Sequence, residues 1–229
     1  MCGRFTSLLT PELLAVIREV FGVTTPDFVE PHYNIAPTQQ VLVVRRDGDH
    51  NRLDHMKWGL IPFWAKDQKI GNSLINARCE SVHEKPAFRQ SIKSRRCIIP
   101  ASGFYEWEKI GDAKQPNYIR MADGGIMAFA GIWDQWKVPE DGTFLESFSI
   151  LTTDANELVA PLHDRMPVIL RAENYGLWLD KDMHDPERLK PLYLPCPVDQ
   201  LSAYRVSPQV NSSRFQGQEC VEKVDSTTA

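Results

Sequence analysis

The middle of this chain limits what it can fold into more than any other stretch. Residues 96–100, 103–109, 117–121, 126–133 and 144–152 form apolar runs broken by turn residues. Runs of that length, rich in β-branched and aromatic side chains, read as strands rather than helices. Short strands joined by brief turns predict a mostly antiparallel, curled, barrel-like sheet with a few peripheral helices. The expected fold class is α+β in a single domain.

The flanking segments fit that scheme. Thr10-Pro11-Glu12 is a helix start: a capping hydroxyl, a proline at the first helical position and an acid near the positive dipole end. Leu13, Leu14, Ile17, Val20 and Phe21 keep helical spacing, and Gly22 is the expected stop. Residues 41–46 and 51–58 read as strands joined around Asp47-Gly48. A short helix capped by Asp154 is expected to end near His163, followed by a strand at 166–170 and a second short helix at 172–179. Residues 204–210 are expected to close the core. No repeat or composition break divides the chain, so one domain is expected over 1–221, with a disordered tail at 222–229.

Composition excludes several classes. With 42% hydrophobic and 24% charged residues among 229, this is the profile of an ordinary soluble domain. No apolar run approaches a membrane span and the N-terminus has no signal-peptide pattern, so a cytoplasmic location is expected, or a nuclear one in a eukaryote. Five cysteines are an odd number without framework spacing, which predicts free thiols in a reducing compartment. A net charge of −4 argues against a chain that coats nucleic acid everywhere, but it leaves room for a local basic groove.

Few motifs carry chemistry. There is no phosphate-binding glycine loop, dinucleotide fingerprint or nucleophile elbow. Cys79 and His83 are the nearest metal pair, and nothing with ligand spacing accompanies them, so neither metal nor cofactor is expected. What stands out is Cys2. With Met1 removed, a free α-amine and a thiol would share one residue, and they titrate near about 8 and about 8.5. Such a residue can attack an amide through sulfur, or condense with an aldehyde through nitrogen and close a thiazolidine through sulfur. A frayed terminus is the plainer alternative.

Other stretches are odd for a plain core. In Gly103-Phe104-Tyr105-Glu106-Trp107-Glu108, alternation sets Glu106 and Glu108 on one face and Tyr105 and Trp107 on the other. Partial burial would raise the carboxyl of Glu106 toward a range useful for proton transfer; an edge strand with two wet glutamates fits the pattern equally well. Leu74-Ile75-Asn76-Ala77-Arg78 sets an amide and a guanidinium among apolar residues, and His163 lies at a corner. Arg78, Lys85, Arg89, Lys93, Arg95 and Arg96 form a basic run, with Trp58, Phe63 and Trp64 as candidate stacking groups. A solvated charged face is the competing reading.

Taken in order, Met1-Cys2-Gly3-Arg4-Phe5, Tyr33-Asn34-Ile35-Ala36-Pro37, Trp58-Gly59-Leu60-Ile61-Pro62, Ile75-Asn76-Ala77-Arg78-Cys79-Glu80, Gly103-Phe104-Tyr105-Glu106-Trp107 and His163-Asp164-Arg165-Met166-Pro167 closely resemble the SOS-response-associated peptidase family. The resemblance runs from residue 2 to about residue 211. It implies a single α+β domain that recognises abasic sites in single-stranded DNA and captures them covalently on Cys2. By the same resemblance Asn76 would hold the N-terminus and the opened sugar, Glu106 would act as acid and base, and His163 would assist ring opening. Arg4, Asn34, Arg78 and Arg165 would hold phosphates and order the pocket, with Trp64 as a stacking wall. Phe63-Trp64-Ala65 departs from the double aromatic often found there in the family. The expected partner is abasic single-stranded DNA, bound by a monomer. The rival readings are a thiol peptidase using Cys2 and a non-covalent DNA binder.

Overall fold

The computed structural model describes residues 2–224. In chain order the strands are β1 (Phe5–Ser7), β2 (His32–Ile35), β3 (Gln40–Asp47), β4 (His50–Trp58), β5 (Asn76–Arg78), β6 (Arg96–Ala101), β7 (Gly103–Ile110), β8 (Ala113–Met121), β9 (Met127–Lys137), β10 (Phe144–Asp154), β11 (Arg165–Pro167), β12 (Ile169–Leu170) and β13 (Leu201–Arg205). The α-helices are α1 (Pro11–Phe21), α2 (Ser91–Ser94), α3 (Tyr175–Leu179) and α4 (Pro186–Leu189).

Pairing runs from β10 to β4, β3, β6, β9 and back to β10, so five strands close a ring. Within this ring the pairings are antiparallel except β10 with β4, which is parallel. Parallel β5 and antiparallel β11 extend from β10, and β12 extends from β9. A second sheet has the order β13-β8-β7-β1-β2.

Over most of their length β3, β6, β9 and β10 are buried on both faces, which explains their apolar runs; β4, with the sequence HNRLDHMKW, is buried only near its end at Met56 and Trp58. Along β3, Val41 and Val43 belong to one core while Leu42 and Val44 belong to another. Likewise Cys97 and Ile99 of β6 face away from Ile98. This is the period-two alternation of a strand with apolar contacts on either side. The first core unites the ring with the second sheet through Phe5, Phe104, Ile119 and Phe129. The other is covered by Leu14, Ile17 and Phe21 of α1 and by Trp178 of α3. Helix α1 begins and ends as its sequence predicts: Thr10 Oγ1 accepts the Leu13 N–H at 3.4 Å, and Gly22 closes it at φ 62°.

Three expectations need adjustment. Residues 154–163 form successive turns rather than a capped helix; Asp154 ends β10, and Asn156 Oδ1 accepts the Val159 N–H at 3.0 Å. Pro161 has no N–H to continue a helical ladder there. The closing strand β13 begins at Leu201, and residues 208–211 are a 3-10 turn. Within the segment expected to be disordered, the Val224 N–H donates to the Arg205 carbonyl at 3.0 Å and Lys223 bridges Val206; residues 225–229 lie outside the described residues. No described helix is long and apolar enough to cross a membrane.

Candidate functional site

Strand β1 leads from Cys2 into the shared core, and Cys2 is wholly buried there. Burial drives its thiol far above the ordinary range, and the charge of nearby Glu106 pushes in the same direction. Cys2 therefore holds a protonated thiol at neutral pH. Its carbonyl oxygen accepts the Asn76 Nδ2–H at 2.8 Å. Asn76 sits on β5, whose pairing with Ile150 of β10 fixes the amide's position. Asn76 Oδ1 is buried and accepts nothing among the described residues. A buried amide oxygen in that state is a ready acceptor for a ligand donor.

Glu106 lies on β7 on the face of Phe104, toward the core that contains Cys2. It is 3% exposed, and burial raises its carboxyl from the usual 4.5 to about 7. Glu108, two residues on, is half-exposed and pairs with Arg205 at 3.0 Å. The two glutamates share a face but not an environment.

His163 stands just before β11, and burial lowers its pKa. Its Nδ1 accepts the Arg165 N–H at 2.9 Å and also lies 2.7 Å from Asp164 Oδ1. These contacts make opposite demands, since an N–H donor needs the ring lone pair and a carboxylate needs the ring proton. The Asp164 side chain is largely in solvent, so the backbone contact and the lowered pKa favour the neutral ring with its proton on Nε2.

Glu106, His163 and Arg4 line one cleft of about 610 Å3, together with Trp107, Lys109, Asp112, Lys114 and Asn211. Three cations against Asp112 and a half-ionised Glu106 suit the cleft to an anionic ligand. Arg4 is held in place, donating to Asn34 Oδ1 at 2.7 Å and to the Val210 carbonyl at 3.0 Å, 6.0 Å over the Trp107 ring. Asn34 is fully buried and donates to the carbonyls of Val210, Ser212 and Phe215, so it acts through Arg4 rather than by touching a ligand. Exposed Arg78 projects from β5 and is close enough to His163 to lower its pKa further.

Two of the singled-out arginines serve the fold. The buried guanidinium of Arg165 pairs with Glu80 at 2.8 Å and Asp154 at 2.6 Å and donates to the Thr152 carbonyl. Arg96 is buried and donates to the carbonyls of Ile92, Lys93, Trp178 and Asp180, closing the ends of α2 and α3. The nitrogens of Arg96 are all engaged with carbonyls, whereas Nε of Arg165 is buried with no acceptor among the described residues. Trp58 is buried too, its Nε1–H donating to the Ile75 carbonyl at 2.9 Å. Trp64 and Phe63 are exposed, and Trp64 lines a separate hollow with Lys66 and Lys69. Their loop is anchored by buried Asp134, which accepts the Phe63 N–H at 2.9 Å and pairs with Arg95.

Sequence reasoning missed Lys109, Lys114, Asn211 and the cleft role of Trp107. A signal existed for the lysines: Gly111-Asp112 between two apolar runs marks a two-residue hairpin loop, which sets them opposite each other. Nothing local announces Asn211. Among the described residues no cluster of three His, Cys, Asp or Glu side chains could hold a metal.

A model of the SOS response associated peptidase (SRAP) family matches residues 1–213. The chain is 45% identical over 226 residues to the abasic site processing protein YoqW of Bacillus subtilis (strain 168), covering 97% of this chain and 99% of that protein. It is 34% identical to the abasic site processing protein YedK of Escherichia coli (strain K12), covering 98% of this chain and 100% of that protein. Against the abasic site processing protein HMCES of Xenopus tropicalis identity is 30%, over 98% of this chain and 78% of that protein. A crystal structure of a Bacteroides thetaiotaomicron protein matches with a TM-score of 0.85 at 26% identity, covering 97% of this chain and 100% of that one. With the family model spanning nearly the whole sequence and relatives matched end to end, the chain belongs to the SOS response associated peptidase family.

Proposed function

We propose that this protein processes abasic sites in single-stranded DNA by capturing the lesion covalently on Cys2. One arrangement carries the reading. Asn76 grips the Cys2 carbonyl, Glu106 is near enough to the Cys2 thiol for its charge to act on it and has its own pKa raised to about 7, and Glu106 shares a basic cleft with His163. The names of the relatives support the same substrate.

The chemistry follows from these groups. Removal of Met1 frees the Cys2 amine. An abasic deoxyribose is mainly a closed hemiacetal, and opening it moves a proton from the anomeric hydroxyl to the ring oxygen. Neutral His163 can carry that proton, since its ring has both a donor and an acceptor nitrogen. The amine adds to the aldehyde, and the carbinolamine loses water to an imine as Glu106 protonates the departing hydroxyl. A carboxyl titrating near the working pH can both give and take that proton. The Cys2 thiol then adds across the C=N bond: sulfur bonds to carbon, and the proton passes by way of Glu106 to nitrogen. Asn76 Oδ1 is available to accept from a sugar hydroxyl or the amine. β-Elimination from the imine would cleave the strand, and fast ring closure suppresses it.

The test is a denaturing gel with intact-mass measurement after mixing with abasic single-stranded DNA. Native protein should give a heat-stable adduct; Cys2→Ala and Cys2→Ser should give at most a labile imine. Protein with a permanent N-terminal tag should give none, because an amide nitrogen cannot form the imine. A full-yield adduct from tagged protein would sink the mechanism. A thiol peptidase, the activity in the family's description, would cleave peptide and leave no band.

A further inference from the structure

We propose that the tip of the β7–β8 hairpin is a phosphate clamp, in which Lys109 and Lys114 together hold the DNA backbone beside the captured sugar. This rests on the abasic-site reading above and extends it to residues outside the reacting centre.

The argument begins with register. Lys109 and Lys114 are direct cross-strand partners, followed by the pair Ile110 and Ala113 and the two-residue loop Gly111-Asp112. Gly111 takes the first loop position at φ 58°, where a glycine lets a tight hairpin turn follow the twist of its strands. The turn thus locks the two lysines opposite each other. Like charges in that relation destabilise a hairpin. Neither ammonium group forms an ion pair with another described residue. A hairpin that keeps such a pair is best stabilised by an anion between them.

Location identifies the anion. Both lysines are exposed and both line the cleft that Glu106 and His163 share; its other charged groups are Arg4 and the carboxylate of Asp112. Lys109 follows Glu106 by three strand residues, roughly 10 Å at about 3.3 Å each. That offset separates a phosphate from the reacting sugar carbon without losing contact with the same strand. The base of the tip is fixed: the Trp107 Nε1–H donates to Asn211 Oδ1 at 2.6 Å, and the Asn211 Nδ2–H donates to the Lys114 carbonyl at 3.4 Å. Two flexible ammonium groups on a fixed base can follow a phosphate as point charges.

The test measures non-covalent binding of an undamaged single-stranded oligonucleotide over a salt series, for wild type, a Lys109→Ala/Lys114→Ala variant and a Lys137→Ala/Lys181→Ala control. The control removes the same charge from exposed lysines that do not line this cleft. For two lost phosphate contacts, the slope of log affinity against log salt should become shallower by about 1.4. The control should keep the wild-type slope. An unchanged slope in the hairpin variant, or an equal change in the control, overturns the clamp. The hairpin variant should melt at or above the wild-type temperature, since a repulsion is gone; a clear drop would make the lysines structural instead. Undamaged DNA involves no aldehyde, so this outcome is independent of the capture chemistry. Absence of a heat-stable band from wild type on abasic DNA would refute capture while leaving the clamp standing.

Discussion

Strand β9 and the β7–β8 hairpin are both antiparallel ribbon, yet they are built under different rules. Along residues 127–132 of β9, Phe129 faces the shared core and Ala128 and Ala130 face the other, and every residue of this stretch is buried. At the hairpin tip, residues 109–114 are all exposed, Ile110 among them, and like charges stand in register. The first region is specified by packing, the second by what must bind. Glu106 lies on the boundary, on a strand that starts in the core at Phe104 and ends in solvent at Ile110.

The contrast can be broken at three depths. Phe129→Ala should have the largest effect. The ring is fully buried and meets Phe5 edge-on at 5.9 Å and Phe104 at 6.2 Å. Urea denaturation should report a loss of about 3–5 kcal/mol; a loss under about 1 kcal/mol would mean that the ring collapses onto small side chains unaided.

At the boundary, Glu106→Gln should change the pH dependence of stability. Because the folded pKa lies above 4.5, the native state holds the proton more tightly than the unfolded chain. The stability linked to this proton is complete below 4.5 and is lost as pH rises through about 7. Relative to the variant, wild type should therefore weaken across that window by on the order of 3 kcal/mol. His163, with its lowered pKa, works the other way, losing stability as pH falls below 6.5. It is present in both proteins, so the difference between their stability profiles isolates Glu106. The same variant should slow adduct formation while keeping affinity for undamaged strands; loss of that affinity would make Glu106 architectural.

The smallest effect belongs to the tip. Ile110→Ser should change stability by less than about 0.5 kcal/mol. A larger loss in thermal melts would show that the tip is packed against something and that the contrast is overdrawn.

What the sequence disclosed follows the same division. Helix α1 and the β3–β4 hairpin were legible because their caps and turns lie within a few residues of what they control: Thr10 and Gly22 for one, Asp47 opposite His50 for the other. The resemblance singled out Cys2, Asn76, Glu106 and His163 as candidates; in the fold Asn76 donates to the Cys2 carbonyl, and Glu106 and His163 line one cleft. Alternation gives Glu106 and Glu108 one face, and position along the strand points to Glu108 as the wetter of the two but leaves the burial of Glu106 open. What decides it is distant in sequence, the buried surroundings of Cys2 for one and Arg205 for the other. Burial of Arg96 and Arg165 was hidden for the same reason, since their acceptors include Trp178 and Glu80, more than eighty positions away. The parallel pairings of β10 that close the ring leave no local mark at all.

Those pairings also set a clock. Asn76 reaches Cys2 only when β5 is docked, and β5 docks on residues 150–152 of β10. During synthesis Cys2 is therefore made roughly 150 residues before the strand that completes its enclosure. At about 5–20 residues per second this is an interval of roughly 8–30 s. Throughout it the N-terminus stands outside its pocket, open to an aminopeptidase. Any trimming of Met1 has that window before β10 arrives and the core closes over Cys2.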